Sequence, residues 1–218
     1  MNSYDVEELF WKNVYEEDDA MRKIVWGART LEEFNSNTEK ESQFIIENLK
    51  INKEDTVLDY GAGIGRLMKV IAPKCKYIAG IDVSNGMVAL SRKCLKDVPN
   101  AAIMHCSNIG EAPIQPNSIT KIYSHIVLQH INKYKVYYIL KNLRHYLAPC
   151  GKAMFQFPDL MKDCGSFKDY AKVYITNKDN NCSLHFWTKE EAAYIFKLAG
   201  WSVIEFVDGT TDFWVIAE

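Results

Sequence analysis

The chain of 218 residues is 48% hydrophobic and 12% aromatic, which suffices to bury a sizeable core in one domain or in one domain with extensions. Its formal net charge is -2, and no apolar run reaches the roughly 18–20 residues that a membrane helix needs, so neither a spanning helix nor a strongly basic nucleic-acid-binding protein is expected. The first ten residues, MNSYDVEELF, lack the basic start and apolar run of a secretory leader, which makes the cytoplasm the expected location.

In chain order, Val6, Leu9 and Phe10 recur at helical spacing, with Trp11 and Tyr15 nearby, before the acidic run EEDD and the segment AMRKIVWGART. This predicts a helical N-terminal extension over residues 1–37. Thr38 followed by Glu41 has the spacing of a capping box ahead of Phe44, Ile45 and Leu49, so a helix is expected from there to about Lys50. From Thr56 the period changes. Short apolar runs, TVLDY, YIAGID, AAIMHC, ITKIYS, GKAMFQF, WSVIEFV and DFWVIA, alternate with helical stretches, GRLMKVIA, NGMVALSRKCL, KYKVYYILKNLRHYL and TKEEAAYIFKLAG. That alternation predicts parallel strands joined by helical crossovers. The last two strands are separated only by a short turn around Asp208 and Gly209, which predicts an antiparallel hairpin. The expected architecture is α/β: a doubly wound, Rossmann-like, seven-stranded and mostly parallel sheet over 38–218, with an antiparallel C-terminal strand and an insertion at about 158–187.

The six cysteines lie far apart in sequence, with no Cys-x-x-Cys pair, and read as buried or indifferent thiols. No His-Glu-x-x-His occurs, and no metal site is expected. Residues 1–50 carry six Lys/Arg against twelve Asp/Glu, whereas Ala112–Pro158 carries six basic residues and no acidic one. Solvated helix faces account for that asymmetry, with an anionic partner for the second segment as the alternative.

The first predicted strand ends in VLDYGAGIGRL, where Gly61, Gly63 and Gly65 occupy the turn into a helix. Glycine there permits positive φ and lets backbone touch a ligand; a tight turn without a ligand is the plain alternative. Asp82 ends the second strand, 21 positions after Gly61, where a carboxylate can accept from both hydroxyls of a ribose. The spacing is not that of the dinucleotide fingerprint, and Asp59 would repel a pyrophosphate, which favours a cation-bearing adenosine derivative over a nicotinamide dinucleotide. No Gly-x-x-x-x-Gly-Lys-Ser/Thr loop supports an ATPase.

VLDYGAGIGRL and GIDVSNGMV together resemble the first two motifs of the class I S-adenosylmethionine-dependent methyltransferases, and CSNIGEAPIQPNSITKIYS is similar to the third region. The resemblance covers about Glu39–Glu218. It implies S-adenosylmethionine as cofactor, contacted by Asp59, Gly61, Ala62, Gly63, Asp82, Val83, Met87, Asn108, Ile109, Ser124 and Gln129, with Trp26 and Arg29 closing as part of a lid. Thr120 stands where the family commonly has Asp, and that position has no assigned role. The loop YSHIVLQHI would lie between cofactor and acceptor, and His130 is the preferred general base because its ordinary pKa is near neutrality. His125, Asp159, Tyr170, Tyr174, His185 and Trp187 are candidate acceptor contacts. The implied activity is in-line methyl transfer to oxygen or nitrogen of a small molecule. Methylation of protein or RNA, or binding of S-adenosylmethionine without turnover, are the alternatives. The sequence implies no oligomeric state.

Overall fold

The computed structural model describes residues 30–163, 165, 167–169, 171, 172 and 184–218. Trp26, Arg29, Tyr170 and Tyr174 lie outside them. Helix α1 spans Leu31–Leu49: Thr30 caps it by accepting from the Glu33 amide at 3.0 Å, and Glu32 and Glu33 meet the positive end of its dipole. The helix therefore starts seven residues before Thr38, and the expected boundary at 37/38 falls inside it. The capping box expected at Thr38 does not form, because the Thr38 hydroxyl donates to the Phe34 carbonyl one turn back and Glu41 is engaged by Arg66. Lys50 ends the helix in the left-handed region at φ 53°.

Strand β1, Thr56–Tyr60, is followed among the described residues by α2 Arg66–Ile71, β2 Tyr77–Asp82, α3 Asn85–Cys94, β3 Ala101–His105, β4 Ile119–Ser124, α4 Lys133–Tyr146, β5 Leu147–Pro158, α5 Lys189–Leu198, β6 Val203–Asp208 and β7 Asp212–Ala217. They form one seven-stranded sheet of order β3-β2-β1-β4-β5-β7-β6. Pairings from β3 to β5 are parallel, whereas β7 runs antiparallel to β5 and β6. The expected doubly wound sheet with its closing hairpin is what forms. The capping box at Thr188 and Glu191 is complete and starts α5.

Alternate residues of each strand feed two cores. Leu58, Ile122, Phe155, Phe157, Phe213 and Val215 meet α4 and α5 on one face. Val57, Ile78, Tyr123, Met154, Trp214 and Ile216 meet α1, α2 and α3 on the other. Both faces are covered, so the central strands are apolar without alternation. Ile45 and Leu49 tie α1 to the second core, each fully buried and worth about 1.5–3 kcal/mol of transfer free energy. Among the described residues no helix is long and apolar enough to cross a membrane, and no cluster of three His, Cys, Asp or Glu is placed to hold a metal ion.

Candidate functional site

The carboxyl ends of β1 to β5 share one edge of the sheet, because these strands are parallel neighbours. Parallel pairing thus gathers Gly61–Gly65, Asp82–Met87, Asn108–Ile109, Ser124–His130 and Asp159 in one region.

After β1 the chain turns through Gly61, Gly63 and Gly65 at φ 80°, 54° and 76°. All three lie in the left-handed region that only glycine adopts freely. Their surroundings differ. A Cβ on Gly61 would stand 2.7 Å from Val127 Cγ1, and one on Gly65 would strike Ser91 and come within 3.2 Å of Leu95 Cδ1. Gly61 therefore admits the loop after β4, and Gly65 admits α3. Around Gly63 no atom of the described residues lies within 4 Å of that position, so among them its backbone is bare toward open space.

Asp82 closes the turn. One carboxylate oxygen accepts from the Gly63 amide and the other from the Ser84 amide, both at 2.8 Å. A carboxylate has about four acceptor positions, and the Val83 amide also favours its ionised form, so the site is partly engaged. Burial raises the Asp82 pKa, and the amides of Ser84 and Gly63 oppose it. The Ser84 hydroxyl accepts from the Met87 amide and caps α3, which brings Val83 and Met87 beside the turn. At the end of β3 the Asn108 side chain accepts from Gly110 N–H at 3.1 Å and donates to Glu111 at 2.9 Å, and Ile109 is buried.

Asp59 sits in β1, 3% exposed, and accepts from the Tyr123 hydroxyl at 2.8 Å. Burial pushes its carboxyl up to about 7, against the lowering effects of the Tyr123 hydrogen bond and the Arg66 charge. Arg66, at the start of α2, donates to Glu41 at 2.6 Å, to Thr38 at 3.3 Å and to His125 Nδ1 at 3.3 Å. Glu41 is also held up to about 7, because burial outweighs the neighbouring guanidinium. The His125 pKa is driven well below its ordinary value, first by burial and then by Arg66. A guanidinium only donates, so Nδ1 of this neutral ring accepts and its proton resides on Nε2. His125 also stacks on Trp214, with ring centroids 5.2 Å apart.

These contacts revise the assignments made from sequence. The His125 side chain, expected among the acceptor contacts, is 5% exposed and joins α1 to β7 through Glu41, Arg66 and Trp214. Trp187 is fully buried in the core against Phe157, under the Lys133 ammonium, because its backbone pairs with Pro158 and Leu160 at the base of the insertion. Asp159 is buried, and its carboxylate accepts from the Met161 amide, a turn-forming role. His185 donates its amide to the Gln129 carbonyl at 2.7 Å and so closes the insertion onto the β4 loop. The Ser124 hydroxyl donates to the Tyr60 carbonyl at 2.9 Å, which ties the ends of β4 and β1. His130 Nε2 lies 3.0 Å from the Gln129 amide nitrogen. The amide can only donate, so that lone pair of the expected base is already engaged. Thr120 bonds Asp55 and Thr56 at the opposite edge of the sheet, where it is structural.

Arg66, Glu41, Trp214, Gln156 and Asp212 escaped the sequence reading. Gln156, an amide within the apolar run AMFQF, carried a usable signal, since a polar residue in a buried strand must find partners.

A family model described as methyltransferase domain matches residues 58–155. Ribosomal RNA small subunit methyltransferase A of Clostridium botulinum (strain ATCC 19397 / Type A) is 34% identical over 61 residues, 28% of this chain and 22% of its own length. Phosphoethanolamine N-methyltransferase 1 of Triticum aestivum is 24% identical over 98 residues, 44% of this chain and 20% of its own. The chain thus spans about a fifth of the length of these curated relatives. An S-adenosylmethionine-dependent methyltransferase structure from Leishmania major superposes with a TM-score of 0.72 at 16% identity, over 99% of this chain and 82% of that one. At that identity the likeness establishes the fold.

Proposed function

We propose that this chain is a class I S-adenosylmethionine-dependent methyltransferase that transfers a methyl group from S-adenosylmethionine to an oxygen or nitrogen of a small molecule in the cytoplasm. The observation that carries this reading is the loop after β1: three left-handed glycines, with the one bare toward open space held by the Asp82 carboxylate.

The residues fit the cofactor. Backbone at Gly61, Ala62 and Gly63 accepts close approach of a ribose and an amino acid moiety. The remaining acceptor capacity of Asp82 suits a ribose hydroxyl, and the Asn108 amide oxygen has a lone pair left for an adenine amino group. Val83, Met87 and Ile109 supply apolar surface beside the ring. Asp59, about half protonated near its raised pKa, ionises readily toward an ammonium group. Ser124 and Gln129 border the amino acid end.

When bound, S-adenosylmethionine supplies a methyl group on a cationic sulfonium, so the protein has to orient the acceptor and exclude water. The β4 loop borders the acceptor side, with His185 bonded to its Gln129 carbonyl. His130 takes the proton of an O–H or N–H acceptor once Gln129 releases its Nε2.

An RNA acceptor is the second reading, favoured by the ribosomal RNA methyltransferase among the relatives. Against it, Lys133 is paired with Glu191 and the Arg144 guanidinium lies over Trp201, so two of the basic groups are engaged within the fold.

Titration calorimetry with S-adenosylhomocysteine and with NADH tests the cofactor. Binding of the first and not the second is expected, and the reverse sinks the proposal. An acceptor panel scored by release of S-adenosylhomocysteine then separates a small molecule from RNA. Cofactor binding without any turnover would leave a pure binder.

A further inference from the structure

The β4–β5 ladder ends at Ser124 opposite Phe155, and two residues later Ile126 takes φ 58°. A β-branched residue in the left-handed region is a true outlier, and such a conformation persists only where its surroundings impose it. The constraint is visible. Gln156, 8% exposed on β5, accepts the Ile126 amide through Oε1 at 3.0 Å and donates through Nε2 to Asp212 at 2.6 Å. Asp212 opens β7 on the far side of β5, so the amide bridges from the loop after β4 to the antiparallel strand. One residue beyond Ile126, Val127 lies against the Cα of Gly61, and the following turn carries Leu128, Gln129 and His130.

We propose that Gln156, braced by Asp212, is a positioning residue that holds Ile126 in its left-handed conformation and thereby seats Val127 against the glycine loop. Without the tether Ile126 relaxes toward negative φ, and Val127 leaves Gly61. The wall shared by the cofactor loop and the β4 loop then opens. Gln156 touches no reacting atom in this account; it acts through the backbone of the loop. The link to cofactor affinity rests on the function proposed above, whereas the link to loop order does not.

The test uses the full chain with Gln156→Leu, Ile126→Gly, Asp212→Asn and the double variant Gln156→Leu/Ile126→Gly, probed with S-adenosylhomocysteine by calorimetry. Gln156→Leu is expected to weaken binding about ten-fold, the effect of losing one hydrogen bond of ordinary strength. Ile126→Gly should bind within about two-fold of wild type, and the double variant should recover most of the loss, because glycine adopts positive φ without a tether. Asp212→Asn keeps an acceptor for the Gln156 amide and should behave as wild type. A defect from simple core damage would not be rescued by glycine at 126. Should Gln156→Leu fail to fold, Asp212→Ala leaves Gln156 in place, and its smaller loss should be restored by the same glycine. Unchanged affinity in Gln156→Leu, or no recovery with Ile126→Gly, overturns the proposal. Hydrogen exchange over 125–130 gives the readout that is independent of the cofactor. If wild type binds no S-adenosylhomocysteine, the proposed function fails, while faster exchange in Gln156→Leu that Asp212→Asn does not share still upholds the tether, and equal exchange rejects it.

Discussion

At the scale of single residues, Asp59 couples stability to function with opposite signs. Its folded pKa of about 7 lies above the ordinary carboxylate value, so the folded chain binds more protons than the unfolded one between about pH 4 and 7. Stability from this group is therefore present at low pH and is lost as pH rises through 7. Asp59→Asn keeps an acceptor for the Tyr123 hydroxyl and removes the buried charge. Its melting temperature should exceed that of wild type by an amount that grows from about pH 4 to 7 and then levels off, while S-adenosylhomocysteine affinity falls. Equal melting temperatures at pH 8 would contradict this. Gly63 and Gly65 make a paired test. Gly63→Ala meets only the left-handed penalty of about 1–2 kcal/mol, since nothing crowds its Cβ, yet it should reduce S-adenosylhomocysteine affinity by about ten-fold or more where the ligand approaches. Gly65→Ala adds overpacking against Ser91 and Leu95 and should cost about 2–4 kcal/mol in urea unfolding.

At the scale of elements, the strands were legible because both faces of the sheet are covered and the central strands read as short, mainly apolar runs. TVLDY, YIAGID, ITKIYS and DFWVIA coincide with β1, β2, β4 and β7. The start of α1 was not legible. Thr38 and Glu41 have the spacing of a cap, but Glu41 is claimed by Arg66, 25 residues away, and local pattern cannot register a partner at that distance. For the same reason the glycine loop and Asp82 were readable from spacing, whereas the burial of His125 and Trp187 followed from tertiary packing. The Glu41–Arg66 pair joins α1 to α2 with side chains 16% and 8% exposed. Removing the carboxylate leaves the guanidinium with Thr38 and His125. Glu41→Ala should thus lose about 2–4 kcal/mol of stability at pH 8, somewhat below the range for breaking a fully buried pair, and Glu41→Gln should recover part of it. Chemical unfolding measures both; indifference to the alanine substitution would show that α1 is held by Ile45 and Leu49 alone.

At the scale of the whole molecule, the strand order places Asp59 and Asp82 at one edge of the sheet, with α1 bringing Glu41 and the antiparallel β7 bringing Asp212 to the same side. Arg66 lowers the pKa of both Asp59 and Glu41, and His125 beside it is neutral. A ligand carrying an ammonium group adds a positive charge to this edge and stabilises the ionised form of Asp59, which is about half protonated near pH 7. Binding must then expel a proton, and by linkage affinity must rise as pH increases through that range. Calorimetry of S-adenosylhomocysteine binding at pH 7, in buffers of different ionisation enthalpy, should report release approaching half a proton, with affinity climbing from about pH 6 to 8 and flattening above. Asp59→Asn should abolish the release, whereas Glu41→Gln, which removes the other group titrating near 7, should leave most of it. A binding enthalpy independent of buffer in wild type would detach Asp59 from the ligand. Release in wild type that Asp59→Asn keeps and Glu41→Gln loses would move the coupling to the α1 anchor.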